Sequence, residues 1–167
     1  QSGGFHHQLA KAMLARLDTN GEISDEVNYP LSVWKFGNEL AIVFLAGEVV
    51  VDYSVRLKRE LDWSRVWING WANDMPGYIP SRRILLEGGY EADFSQVYYE
   101  QPSRYASSVE DKLVNAVKEM VGLEFRSKPD QEPAPFHKPP SGEELMLVRL
   151  SNWVADSRSK DEKDLIK

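Results

Sequence analysis

The apolar run 40–46 limits the fold more than any other stretch of the sequence. Its seven residues suit a buried β-strand, whereas a helix that spans a membrane needs about 20 apolar residues. Just before it, the side chains of 31–36 alternate between two faces, which is typical of a β-strand. Gly37-Asn38 between the two segments is typical of a tight turn. The two segments therefore predict a β-hairpin whose second strand is fully buried.

A helix and a third strand are predicted directly after the hairpin. Apolar residues recur at helical spacing over 50–61, and the segment 65–71 has the character of a strand. This strand–helix–strand order predicts a right-handed crossover between parallel strands. Further helices are predicted at 5–17, 82–87 and 109–121, the last with Ser107 and Glu110 as a capping box. The expected fold class is α/β, with a mixed β-sheet and packed helices.

Charge and composition exclude several kinds of function. The formal net charge of −6 disfavours nucleic-acid binding, because nucleic-acid modules usually present a basic face. The chain has no cysteine, so disulfides, thiolate zinc sites and cysteine nucleophiles are excluded. Its three histidines, His6, His7 and His137, are too few for a metal site of their own, and the adjacent pair diverges on a helix.

The proline distribution divides the chain into three predicted parts. Residues 1–127 carry the predicted strands and helices and form the folded portion. Residues 128–140 hold five of the nine prolines, which is typical of an extended linker, and they include His137. Residues 141–167 are predicted to form a helical, charged tail whose end frays.

The segment 18–24 resembles the middle of a calcium-binding EF-hand loop. If Gly21 takes the sixth position of that loop, Arg16 falls at the first position and Val27 at the twelfth. Both anchoring acids are then missing. The sequence therefore favours a turn that ends the first helix, with calcium binding as the weaker alternative.

Several side chains later in the chain are candidates for chemistry, and each has a purely structural alternative. Glu48 follows the buried strand at the predicted start of a helix, where the helix dipole favours a carboxylate with or without a function. Tyr78 and Tyr90 could bind a substrate or a metal, or they could pack as half-buried aromatics. Arg82-Arg83 between them could hold an anion or stay solvated. Position alone favours the structural alternatives.

Three ordered segments, 45–48 (Leu-Ala-Gly-Glu), 73–78 and 87–91 (Glu-Gly-Gly-Tyr-Glu), carry a recognisable pattern. Together they resemble the neutral/alkaline non-lysosomal ceramidase family, most closely its bacterial members, and the resemblance covers roughly 27–121. In that family a Pro-Gly-Glu segment supplies a zinc-ligating glutamate. An asparagine precedes a zinc-ligating tyrosine by five residues, and a second tyrosine follows twelve residues later. Glu48, Asn73, Tyr78 and Tyr90 keep this order and these offsets.

The resemblance implies a zinc-dependent amidohydrolase that cleaves the N-acyl amide of ceramide or a related lipid. It implies that Glu48 and Tyr78 are metal ligands and that Tyr90 is a catalytic residue at the amide oxygen. Asn73 is implied to shape its loop or to hydrogen-bond behind the ligands. It further implies a bacterial protein of sphingolipid metabolism that is secreted or periplasmic and contacts a membrane surface.

The sequence departs from the family pattern at three points. Ala46 replaces the family proline, and 80–83 replaces the Thr-Thr-Tyr-Glu-Glu that follows the zinc tyrosine. His6 and His7 do not fit the motifs of the two zinc histidines, which lie earlier in the family's catalytic domain. We therefore expect the chain to be the C-terminal part of such a domain and inactive by itself. The alternative is a non-catalytic interaction or structural domain of the same shape.

Overall fold

The computed structural model describes residues 4–131. The chain divides into two compact units, Gln1–Pro133 and Ala134–Lys167, and all described residues belong to the first. Helices and a small mixed sheet build this unit, which confirms the α/β class. The predicted tail 141–167, most of the predicted linker 128–140 and His137 lie outside the described residues.

The described residues form four α-helices, five strands and two short 3₁₀ helices. In chain order these are α1 (Phe5–Asn20), β1 (Leu31–Phe36), β2 (Leu40–Leu45), β3 (Glu48–Val49), α2 (Val51–Glu60), β4 (Val66–Asn69), β5 (Tyr78–Ile79), α3 (Arg82–Glu87), the 3₁₀ helix Phe94–Tyr99, α4 (Val109–Val121) and the 3₁₀ helix Leu123–Phe125. Across residues 4–131, no helix has the length and apolar character needed to cross a bilayer.

The main sheet has three strands in the order β1, β2, β4. β1 and β2 pair antiparallel, which confirms the predicted hairpin. β2 and β4 pair in parallel, so α2 forms the predicted crossover connection. β4 is shorter than the predicted strand 65–71 because the chain turns away at Trp71, whose N–H donates to the carbonyl of Gly47 (2.9 Å).

The core lies on one face of this sheet. Ala41, Val43 and Leu45 of β2 are fully buried there against Leu57 of α2 and Val117 of α4. The intervening residues of β2 are only partly buried. The prediction that this strand is buried on both faces is therefore wrong for half of its side chains, because α2 and α4 cover a single face.

The opposite face of the sheet carries a row of large apolar side chains. Trp34, Ile42 and Trp67 are register partners across β1, β2 and β4, so they stand side by side. Trp34 and Trp67 remain 60% and 58% exposed. Within residues 4–131 this aromatic face is therefore without a covering layer.

Helix α1 extends three residues beyond its predicted end. Its last residue is Asn20, and Gly21 ends it in the left-handed conformation (φ 78°), with its N–H donating to the carbonyl of Leu17 (2.8 Å). The predicted helix-ending turn is therefore confirmed at Gly21. His6 and His7 lie in the first turn of α1 and are exposed, as expected.

The turn that follows α2 is held by Asp62, a buried carboxylate. Burial alone would raise the pKa of Asp62, but hydrogen bonds from Ser64, Arg65 and Gln131 outweigh it and lower the pKa to about 2. The bond from Gln131 also joins the end of the described chain to this turn. Asp62 is therefore a stabilising group only while it is ionised.

We expect Asp62 to contribute about 2 kcal/mol to stability at neutral pH, because its folded-state pKa lies below the usual value of 3.8. This contribution is complete above the unfolded-state pKa and is lost as the pH falls through the folded-state pKa. Urea unfolding of the wild type and Asp62→Asn should therefore differ at neutral pH and converge in acid. The exposed Asp25→Asn serves as the control. If the free energies of unfolding of the wild type and Asp62→Asn differ by the same amount at every pH, the expected role of the ionised carboxylate is contradicted.

Candidate functional site

Glu48 and Tyr78 are direct neighbours in a second, two-stranded sheet. β3 and β5 pair in parallel with Glu48 opposite Tyr78. The N–H of Glu48 donates to the carbonyl of Gly77 (2.9 Å), and the N–H of Val50 donates to that of Ile79 (3.3 Å). Two residues that are thirty positions apart in the sequence are thereby fixed side by side.

This pairing corrects two expectations from the sequence. Glu48 lies in a strand and not at a helix start, because the ladder to β5 keeps residues 48–49 extended and α2 begins only at Val51. The acid in the first turn of α2 is instead Asp52, which accepts hydrogen bonds from Ser81 and Arg83. The segment 72–81, predicted as a loop, contains β5.

Two glycines allow β3 and β5 to come together. Gly47 has φ 66° and Gly77 has φ 120°, and L-residues rarely adopt such values. A Cβ atom on Gly47 would overlap the carbonyl oxygen of Gly77, and a Cβ on Gly77 would lie 3.0 Å from the ring of Tyr99. The close approach of the two strands therefore depends on the absence of side chains at both positions.

The Glu48 carboxylate acts directly on the Tyr78 phenol. A hydrogen bond with Glu48 is the largest cause that raises the pKa of Tyr78, and burial adds to it, to about 12. The proton of the Tyr78 phenol is therefore held more tightly than in a free tyrosine. The register of β3 and β5 places this carboxylate and this phenol on neighbouring strands.

Tyr90 joins this pair through its aromatic ring. Its ring centroid lies 5.3 Å from that of Tyr78, with an edge-to-face angle of 76°. Tyr90 remains 46% exposed, so it is accessible to a ligand. Tyr98 and Tyr99 extend the cluster at centroid distances of 6.4 Å from Tyr90 and 6.5 Å from Tyr78. Three of the predicted site residues, Glu48, Tyr78 and Tyr90, are thus brought together.

The side chain of Asn73 contacts the main sheet. It has a left-handed backbone (φ 67°), and its side-chain amide donates to the hydroxyl of Ser32 on β1 (3.2 Å). This bond ties the loop after β4 to the main sheet. The role that the resemblance implies for Asn73 stays a prediction.

The side chain of Arg83 is held by carboxylates and is not a free anion site. Arg83 binds Asp52 (3.0 Å) and Glu87 (2.7 Å). The backbone N–H of Arg82 donates to Glu110 (2.7 Å). The charge of Arg83 is therefore neutralised locally, which favours the structural alternative for that residue.

One residue close to the site was not identified from the sequence. Gln96 is only 3% exposed, and its side-chain amide donates to the carbonyls of Tyr78 (3.4 Å) and Glu91 (3.2 Å). It lies in a 3₁₀ helix between exposed aromatics, where no periodic pattern separates buried from exposed positions. The sequence contains no signal that marks Gln96.

The oxygen donors of Glu48 and Tyr78 fit part of a zinc coordination shell. Zinc accepts carboxylate oxygens but usually takes three or four protein ligands, with histidine frequent among them. In the region 4–131, no three histidine, aspartate or glutamate side chains gather into a group able to hold a metal. Glu48 and Tyr78 could therefore offer a metal at most two ligands, and further ligands would have to come from elsewhere.

A surface cleft of about 330 Å³ lies away from this cluster. Residues 24–29 and 101–113 contribute its lining, which includes none of Glu48, Tyr78 and Tyr90. The hydroxyl of Tyr105 at this cleft is buried and has no hydrogen-bond partner within residues 4–131, and burial raises the pKa of Tyr105 to about 12. Glu48 and Tyr78 are instead fixed side by side by strand pairing, with the ring of Tyr90 against Tyr78, so this cluster is the stronger candidate site.

Comparison with protein-family models, with curated proteins and with solved structures gives no match to this chain.

Proposed function

We propose that this chain forms part of a zinc-dependent amidohydrolase resembling neutral ceramidase, which cleaves the N-acyl amide of ceramide or a related lipid. The observation that carries the proposal is the register of the second sheet, which pairs Glu48 with Tyr78 and so sets two oxygen donors side by side. The ring of Tyr90 lies against Tyr78, as a third residue of the same site requires.

Each residue has a defined role in this proposal. Glu48 and Tyr78 would hold the metal, with Tyr78 binding as the phenolate and its proton released to solvent. Two histidines from outside the described residues complete the protein ligands. Zinc, when bound, polarises the amide carbonyl and lowers the pKa of a water molecule.

Tyr90 acts on the substrate in this proposal. Its hydroxyl donates a hydrogen bond to the amide oxygen as negative charge develops there. Its partial exposure leaves room for a substrate, while the contact with Tyr78 limits the positions that the ring can take. Tyr90 therefore stabilises the transition state without binding the metal.

Zinc titration of the 167-residue chain tests the ligand pair. We expect weak binding, with a dissociation constant of about 0.1 mM, because two ligands supply roughly half of the affinity of a complete site. Glu48→Gln and Tyr78→Phe should each weaken binding by at least about tenfold. Glu119→Gln is the control on an exposed residue of α4 and should leave zinc binding unchanged. Tight stoichiometric zinc in the purified chain, measured by elemental analysis, would contradict this expectation.

Hydrolysis of a fluorescent N-acyl sphingosine tests the reaction. A polypeptide that carries this chain together with the two predicted histidines should release the fatty acid, and Tyr90→Phe should lower kcat about 100-fold with little change in KM. The chain alone should hydrolyse nothing. No hydrolysis by the longer polypeptide would overturn the enzymatic proposal.

A non-catalytic interaction domain is the second candidate. The uncovered row of Trp34, Ile42 and Trp67 favours it, because large exposed apolar faces mark interaction surfaces. The two candidates differ in what they require. The enzyme needs two further histidines and zinc, whereas an interaction domain needs neither.

A further inference from the structure

We infer that Gln96 is a positioning residue that holds Tyr90 at a fixed distance from Tyr78. The inference deepens the proposed function and rests on it for the roles of the two tyrosines. The carboxamide of Gln96 donates one N–H toward the carbonyl of Tyr78 (3.4 Å) and one toward the carbonyl of Glu91 (3.2 Å). Glu91 directly follows Tyr90, so one side chain ties the two site segments together.

This link crosses between two segments of the chain. The other hydrogen bonds to Tyr90 and Glu91 come from Ser95, and they stay within the turn that contains Tyr90. The bond to Tyr78 instead reaches β5, which is paired with the strand of Glu48. Gln96 therefore couples the predicted catalytic residue to the predicted metal ligands.

The unpaired oxygen of Gln96 is a second, independent observation. The amide orientation is set by the two carbonyls, since only the nitrogen can donate, and this leaves Oε1 buried without a partner among the described residues. A buried acceptor without a partner is destabilising, and an apolar side chain would avoid the cost. A glutamine at this position therefore favours a role in geometry over a role in stability.

Gln96→Met tests the inference, because methionine keeps the length and apolar stem of glutamine and removes both donors. Gln101→Met is the matched control: the side chain of Gln101 donates to the carbonyl of Pro76 (3.0 Å), close to Tyr78, whereas its only link to Gln96 among the described residues is a backbone bond that the substitution keeps. The primary readout is the NMR cross-relaxation between the rings of Tyr78 and Tyr90, recorded without zinc. We expect it to fall severalfold in Gln96→Met and to be retained in Gln101→Met.

Kinetics in the longer polypeptide supply a second readout. Gln96→Met should lower kcat about tenfold with KM unchanged, as expected for a group that orients a catalytic residue. Gln101→Met should leave kcat unchanged. If no polypeptide hydrolyses the amide, the proposed function fails, while the ring contact still decides whether Gln96 positions Tyr90.

Two outcomes would overturn the inference. One is a Gln96→Met protein that loses thermal stability but keeps the contact between the two rings, because that result assigns Gln96 a merely structural role. If Gln96→Met does not fold, the wild type decides: the side-chain amide hydrogens of Gln96 should exchange with solvent at least about tenfold more slowly than those of the exposed Gln8. Equal exchange rates would then overturn the inference that Gln96 positions Tyr90.

Discussion

Replacing Gly47 with alanine should separate Glu48 from Tyr78 and lower the free energy of unfolding by about 3 kcal/mol. Backbone strain and steric overlap both destabilise the alanine variant. The backbone is left-handed, with φ 66°, and the new Cβ would overlap the carbonyl oxygen of Gly77. That carbonyl accepts the N–H of Glu48, so relief of the overlap breaks the first bond of the β3–β5 pairing.

Gly37→Ala is the matched control for this change. Gly37 is also left-handed (φ 53°), but a Cβ there meets no atom within 4 Å. We expect a loss of about 1 kcal/mol from backbone strain alone. Denaturant unfolding should therefore separate the two variants, and zinc affinity should fall only in Gly47→Ala. Equal stability losses would show that the two strands move apart freely and that the site does not depend on their close approach.

Glu110→Ala should have a comparably large effect on stability, about 3 kcal/mol. Glu110 is buried and accepts hydrogen bonds from the Arg56 guanidinium (2.9 Å) and from the backbone N–H of Arg82 (2.7 Å). It thereby joins α4 to α2 and to the start of α3. Its removal leaves both donors in a partly buried setting without this acceptor.

Asp111→Ala tests whether burial is the cause. Asp111 binds the same guanidinium (2.7 Å), but its side chain is 48% exposed. We expect a loss of less than about 1 kcal/mol, because water replaces an exposed carboxylate at little cost. Thermal unfolding of the two variants measures the difference. A larger loss for Asp111→Ala than for Glu110→Ala would contradict the importance of the buried contact.

Glu110 also shows where a local sequence pattern fails. With Ser107 it fits a capping box, yet α4 begins after Ser108 without a side-chain cap, and the Glu110 carboxylate turns to Arg56 and Arg82. The local pattern contains only the residues near the helix start. The competing partners come from α2 and α3, far away in the sequence, and they are stronger because one of them is charged.

The candidate site was predictable as a set of residues but not as a geometry. The offsets among Glu48, Asn73, Tyr78 and Tyr90 support the resemblance to ceramidases, and three of these residues do lie together. Their roles in zinc binding and amide hydrolysis stay predictions. Strands of two residues, such as β3 and β5, are too short to show periodicity, so the pairing that unites the site has no local signal.

The sequence by itself determined the hairpin of β1 and β2, the crossover helix α2 and the apolar stripe of α4. Each has enough residues for its hydrophobic period to be visible, and burial of that face drives its formation. Only the tertiary structure decided that β2 is covered on one face, that Glu48 pairs with Tyr78, and that Gln96 bridges two segments. These features depend on contacts between residues distant in the chain, and such contacts leave no period in the sequence.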